Sequence, residues 1–174
     1  MIDFSTIDYL KDGNFKQQKA FEVLTQHQVL VLLSNFDPLL VGTIPINIDT
    51  DNSDLDIICC YKSKTDFITQ LQDNFSTKSH YTIREALIDN IESVIANFFI
   101  ANFQIEIFGQ NIPVKKQNGY RHMIIEHEIL KKKGDNFRLE IIKLKQQGYK
   151  TEPAFGKLLG LEGNPYQALL DYKV

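Results

Sequence analysis

The densest chemistry in the chain sits at Asp54-Leu55-Asp56, where two carboxylates alternate with apolar residues in the run SDLDIICC. On an extended strand residues two apart share a face, so Asp54 and Asp56 point one way while Leu55 and Ile57 point to the core. Adjacent carboxylates repel. They are tolerated when solvated or when a divalent cation neutralises them, and Mg2+ is commonly held by one or two carboxylates, waters and substrate phosphates. Glu106, in Gln104-Ile105-Glu106-Ile107-Phe108, is a further carboxylate inside a strongly apolar run, and burying it unpaired would cost several kcal/mol. On a neighbouring strand facing the same way, it would complete a three-carboxylate cluster suited to two metal ions at a phosphoryl-transfer centre.

Plainer chemistry competes at each position. Asp49-Thr-Asp-Asn-Ser-Asp54 also reads as a solvated, turn-forming stretch. A calcium loop starting at Asp49 fails on spacing, because glycine and glutamate are needed where the chain has Asp54 and Cys60. Alternation would equally let Glu106 face solvent on an edge strand. Lys115, Lys116 and Arg121 follow the last apolar strand as weak phosphate-steering candidates, since short basic runs are usually solvated faces. His122 and His127 lie about 140° apart around a helix, wrong for joint coordination. His122 and Glu126 share a face, and a helix contact or cap is their expected role. Tyr149 to Phe155, YKTEPAF, offers an acceptor pocket, or more simply Thr151 as an N-cap before Pro153.

The elements that must position these groups are legible as periodicities. Asn14 to Asn35 has apolar residues near helical spacing and ends before Asp37-Pro38. Leu39 to Thr43 reads as a strand with Gly42 allowing a turn or a close approach, followed by a bent excursion from Ile44 to Ser53. Asp54 to Tyr61 is a second strand and Lys64 to Phe75 a helix. His80 to Leu87, Glu92 to Ile100 and Phe103 to Phe108, closed by Gly109, are further strands. Helices are expected at Tyr120–Lys133, Asn136–Gln147, Pro153–Leu161 and Pro165–Tyr172, with Gly134, Gly148 and Gly163 at their ends. The fold class is α+β, a mixed sheet of about five strands with packed helices, in one domain: a sheet core over 1–116 and a C-terminal helical layer over 117–174.

Composition bounds the partners. With 174 residues, 43% hydrophobic and 24% charged, the chain reads as an ordinary globular protein able to bury a sizeable core. Its 22 acidic against 19 basic residues give a net charge of -3, so no broad nucleic-acid-binding surface is expected. Val29 to Leu33 is far short of the ~20 apolar residues of a spanning helix, and the N-terminus lacks the segments of a signal peptide, so it is expected to be retained. Cys59 and Cys60 are adjacent and point to opposite strand faces, which suits packing in a reducing, cytoplasmic setting.

Val41-Gly42-Thr43, then Asp54-Leu55-Asp56-Ile57 after a ten-odd-residue gap, then Glu106 resembles the signature of the polymerase-beta-like nucleotidyltransferase superfamily. The likeness covers Leu39 to Phe108 and implies a nucleotidyltransferase-like fold. It also implies that Asp54, Asp56 and Glu106 hold Mg2+ (or Mn2+), with Glu106 alternatively helping to deprotonate an acceptor hydroxyl. Gly42, Thr43 and Ser53 would contact a nucleoside triphosphate, whose nucleoside monophosphate would pass to an unknown acceptor. Thr43 departs from the usual Gly or Ser, keeping a hydroxyl but adding a methyl. With GTIPI, SDLDIIC, YRHMIIEHEIL and KTEPAFGKLLGLEGNPYQALL, the whole chain is also similar to a small bacterial family known only as a domain of unknown function. The alternative on the same fold is an inactive nucleotide-binding or protein-interaction module.

Overall fold

A computed structural model describes residues 2–174. The ordered elements are α1 (Phe15–Gln26), α2 (Val29–Leu32), β1 (Leu39–Val41), β2 (Leu55–Cys60), α3 (Lys64–Phe75), β3 (Ser79–Ile88), β4 (Ile91–Ile100), β5 (Phe103–Gln110), α4 (Asn118–Lys133), α5 (Asp135–Gln146), α6 (Thr151–Leu159) and α7 (Pro165–Leu170). The strands form one mixed sheet in the order β1-β2-β5-β4-β3, with β2 and β5 parallel and every other pair antiparallel. The expected α+β class and five-stranded mixed sheet are what the chain adopts.

Two apolar layers sandwich the sheet. On one face, Leu55, Ile57, Ile105 and Ile107 pack with residues of α1, α2 and α3, among them Leu24, Val29, Phe67 and Leu71. On the other, Leu39, Val41 and Ile58 pack with Met123, Leu130, Ile141, Leu144 and Phe155 of the C-terminal helices. Strand alternation sends Cys59 into the first layer and Cys60 toward the second, and both are free thiols. No helix among the described residues is long and apolar enough to cross a membrane.

Several local expectations give way to packing. The helix expected over Asn14 to Asn35 breaks at Gln28, which takes a left-handed φ of 53°. An unbroken helix would place Val29 about 140° around the axis from Leu24; the break instead buries Leu24, Val29 and Leu33 together. A short 3-10 turn at Asp8–Asp12, not anticipated from the sequence, buries Leu10 completely. β1 ends at Val41 rather than Thr43 because Gly42, at φ 84°, turns the chain out of the sheet. α6 begins at Thr151 rather than Pro153, with Lys150 at its N-cap and no side-chain cap bond, so Thr151 is not the cap. That helix stops at Gly160, in the left-handed conformation, while Gly163 lies in the turn before α7.

Gly109 was expected to close the last strand, yet β5 runs through it to Gln110. Its role is packing: a Cβ there would fall 2.1 Å from Cε1 of Phe67, whose ring crosses the strand from α3. Gly109→Ala is therefore expected to cost about 1–3 kcal/mol of stability through overpacking. Phe67→Leu in the same background should restore part of the loss. Chemical denaturation measures both, and an unchanged midpoint for Gly109→Ala would show that the ring yields freely.

Candidate active site

Parallel pairing of β2 with β5 sets Asp56 directly beside Glu106, with Leu55 beside Ile105 and Ile57 beside Ile107. Neighbours across a ladder share a face. The apolar pairs face the first core layer, and the two carboxylates face a cleft of about 320 Å³ between the sheet and the C-terminal helices. Gly42 and Thr43 line the same cleft, and its opposite wall carries His122 and Glu126 of α4 with Thr151 and Glu152 of α6. Asp54 lies one residue before β2, and Ser53 lines a separate hollow of about 680 Å³ on the outer side of the loop. The Thr43 hydroxyl joins the two sides by donating to the Ser53 hydroxyl at 3.2 Å.

Gly42 is dictated by Asp56. A Cβ at Gly42 would lie 2.3 Å from Oδ2 of Asp56, and the positive φ is unfavourable for any side chain. The carboxylate thus rests against bare backbone, leaving its other side open to the cleft.

The loop from Ile44 to Ser53 is held from two directions. Ile44, Ile46 and Ile48 are buried, so the alternating isoleucines anchor it in the core. Its carbonyls are met by cations: Lys16 of α1 donates to the carbonyls of Thr50 and Asp51, Arg138 of α5 to Ile46 at 2.7 Å, and Lys145 of α5 to Ile48 at 2.7 Å. At the start of α1, Asn14 caps the helix and donates to Asp49 Oδ1 at 3.1 Å, while Gln17 donates to the Ile44 carbonyl at 2.8 Å.

The electrostatics are those of crowded acids. Burial pushes the Asp56 carboxyl up, and the charges of Asp54 and Glu106 push it further. Glu106 is raised by burial and by Asp54, partly offset by a hydrogen bond from Asn97 and by Arg84. Asn97 sits opposite Glu106 on β4 and is itself oriented by Gln104, which donates to its Oδ1 at 3.3 Å. Burial draws Lys145 down to about 8, against the pull of Glu126, Asp49, Asp54 and Asp56.

Lys115, Lys116 and Arg121 are exposed and lie outside the cleft lining, Arg121 donating to Asn118 at 3.0 Å. The group that sequence reasoning missed is Lys145. It reads, like Lys143, as a solvated lysine in the last turn of α5, and only the tertiary fold sets it against the acidic loop. Among the described residues, no three or more His, Cys, Asp and Glu side chains are already gathered as one ion's ligand set. The paired Asp56 and Glu106 nonetheless fit a hard divalent cation: both are oxygen donors facing one cleft, both are raised by like charge, and Asp54 adjoins them.

Solved structures share this architecture. A Cid1 poly(U) polymerase bound to MgGTP is similar over 85% of this chain and 49% of its own, at 14% identity and a TM-score of 0.56. The GLD-2/RNP-8 complex is similar over 87% and 57%, at 10% identity and a TM-score of 0.53. The polymerase core of TRAMP, an RNA surveillance complex, is similar over 94% and 50%, at 12% identity and a TM-score of 0.51. The chain spans about half the length of these structures, and the fold is that of polymerase-beta-like nucleotidyltransferases. The family described as a domain of unknown function, DUF4269, matches residues 22–172. No curated protein sequence matches the chain.

Glu126 gives the site a pH signature. It is 3% exposed, and burial, reinforced by Glu152, holds its carboxyl well above the ordinary 4.5, with Lys145 opposing. A raised carboxyl favours the folded state while neutral, and that contribution is lost as pH rises from the unfolded value through the folded one. Glu126→Gln should therefore be nearly neutral to stability at pH 4 and stabilising at pH 8. Urea unfolding at both pH values measures the gap, and a pH-independent difference would contradict the assignment.

Proposed function

We propose that this chain, which belongs to the DUF4269 family, is a Mg2+-dependent nucleotidyltransferase that moves a nucleoside monophosphate from a triphosphate to an acceptor hydroxyl. The observation that carries this reading is the register of Asp56 with Glu106 on adjacent parallel strands, facing a cleft that Gly42 keeps open. Glu106 facing the same cleft as Asp56 supports this reading over an inactive binding or interaction module on the same fold.

Each residue then has a role. Asp54, Asp56 and Glu106 would hold the cation, which when bound supplies charge neutralisation for the triphosphate and for the pentavalent transition state. Gly42 offers backbone without a side chain to the phosphates, and the Thr43 and Ser53 hydroxyls, already 3.2 Å apart, add donors at the loop mouth. The acceptor hydroxyl attacks the α-phosphorus and pyrophosphate leaves; where Asp54 and Asp56 hold the cation without it, Glu106 would take the hydroxyl proton. The cations on the loop carbonyls keep the phosphate-facing backbone from moving as charge develops. The acceptor-facing surface is then the helical wall opposite the sheet.

Isothermal titration of the protein with each of the four nucleoside triphosphates, with and without Mg2+, tests the proposal. Binding that requires Mg2+ is expected for at least one. Asp56→Asn should weaken it by about tenfold or more, the loss of a charge-assisted contact, and Gly42→Ala should do the same by driving a methyl onto Asp56. Absence of nucleotide binding to the unaltered protein, with or without the cation, would overturn the assignment.

A further inference from the structure

The helical wall of the cleft carries an acid that nothing in the fold satisfies. Glu126 is 3% exposed and lines the cleft, yet its carboxylate has no hydrogen-bond or ion-pair partner among the described residues. A buried carboxyl without a partner is unfavourable, and such a cost is retained where a ligand supplies the missing partner. Its neighbours are already committed. His122 faces Glu152 through Nδ1 at 3.3 Å and the Tyr166 carbonyl through Nε2 at 3.0 Å, leaving no ring nitrogen for Glu126. Lys145, the cation whose charge reaches Glu126, donates to the Ile48 carbonyl at 2.7 Å and is drawn also toward Asp49, Asp54 and Asp56.

The charge of the whole cleft points the same way. Asp56 and Glu106 line its sheet side, and Glu126 and Glu152 its helical side. Among the described residues the only basic group in the lining is His122, which is paired with Glu152. A cation on Asp54, Asp56 and Glu106 would balance the sheet side and its triphosphate, but leaves the acids of α4 and α6 facing whatever lies against them. Phe108 and Met123 between the two walls offer apolar contact for a carbon skeleton. A cleft of about 320 Å³ is at the small-molecule end of the ligand-pocket range.

Resting on the nucleotidyltransferase reading, we propose that the acceptor is a small hydroxylated amine, its ammonium held by Glu126 with Glu152 beside it and its hydroxyl presented to Glu106. The ammonium supplies the donors that Glu126 lacks, and its charge lets the buried carboxyl ionise on binding. A nucleic-acid acceptor, with a phosphate at every step, would bring no cation to pair with Glu126. Glu126 and Glu152 are thus specificity-determining residues for the acceptor and stand apart from the groups that hold the nucleotide.

The test is calorimetry on the full chain with Mg2+ present, using glucosamine, ethanolamine and spermidine as cationic probes. N-Acetylglucosamine serves as the counterpart that keeps the sugar hydroxyls and lacks the charge. Glucosamine should bind saturably and N-acetylglucosamine at least about tenfold more weakly, the loss of a charged pair. Glu126→Gln and Glu152→Gln should each weaken glucosamine by a similar factor, with circular dichroism confirming that both variants fold. Glucosamine should also raise the rate of pyrophosphate release from the triphosphate that binds.

The acceptor assignment is overturned if none of the three amines binds, if the acetylated sugar binds as tightly as the free amine, or if both glutamine variants bind amines unchanged. It is also overturned if a single-stranded oligoribonucleotide binds and is extended at its 3′ end. Nucleotide titration on the same preparation separates the two readings. Nucleotide binding without amine binding sinks the acceptor assignment alone, whereas Glu126-dependent amine binding without nucleotide binding sinks nucleotidyl transfer and leaves the cation subsite in place.

Discussion

Two carboxylates are forced together by a backbone ladder. Once β2 and β5 pair in parallel with Leu55 beside Ile105 and Ile57 beside Ile107, the apolar alternation that fills the core fixes Asp56 beside Glu106 on the opposite face. Slipping the register by one residue would relieve the repulsion only by turning the isoleucines away from the core, and several buried aliphatic side chains outweigh one strained acidic pair. The sheet therefore holds the acids in place against their own repulsion. Hydrogen bonding from Asn97 and the charge of Arg84 ease Glu106, while Asp56 has only distant help from Lys145. The strain is concentrated where a divalent cation would remove it.

Everything around the pair serves to keep it open on one side and immobile on the others. Gly42 gives up a side chain so that Asp56 can lie against backbone, and Gly109, one turn of the pleat away on β5, gives up its own so that Phe67 can lock α3 across the strand. The loop between Thr43 and Ser53 has no regular ladder of its own, so its carbonyls need donors from elsewhere. Lys16, Arg138 and Lys145 provide them, from helices on both sides of the loop. In this way α5, remote in sequence, becomes part of what holds the acidic loop.

Most of this frame was legible because it rests on short-range regularities. The strand alternation at Leu55 to Cys60 and Gln104 to Phe108, the paired acids and the Gly42 turn are each visible within a few residues, and together they anticipate the sheet and the fold. The meeting of Asp56 with Glu106 was only a condition until the parallel pairing of β2 with β5 supplied the strand order. The break at Gln28 was not, since helical spacing looks continuous there and only the need to bury Val29 with Leu24 decides it. Gly109 looked like a strand end because sequence shows a glycine's freedom but not the ring that fills its space. Lys145 escaped for the same reason: a lysine on an amphipathic helix reads as solvated until the tertiary fold removes the solvent. Glu126 was legible as a helix contact or cap beside His122, but not as a buried acid lining the cleft.

The division of the site between sheet and helices follows from what each can carry. Carboxylates on a central strand pair are fixed to within the geometry of the ladder, which suits chemistry common to a whole fold. Helical side chains can be exchanged without disturbing a register, which suits selection among acceptors. Here the helical wall presents Glu126 and Glu152 with a single paired histidine, so under the proposed function its selection would operate through charge as well as shape. A low-dielectric cleft magnifies that choice, because each unpaired charge left after binding costs more than it would in water. An acceptor that leaves Glu126 unpaired forgoes that interaction and also meets a carboxyl that must stay protonated, so discrimination between cationic and neutral acceptors should increase as pH rises and the cost of holding Glu126 neutral grows.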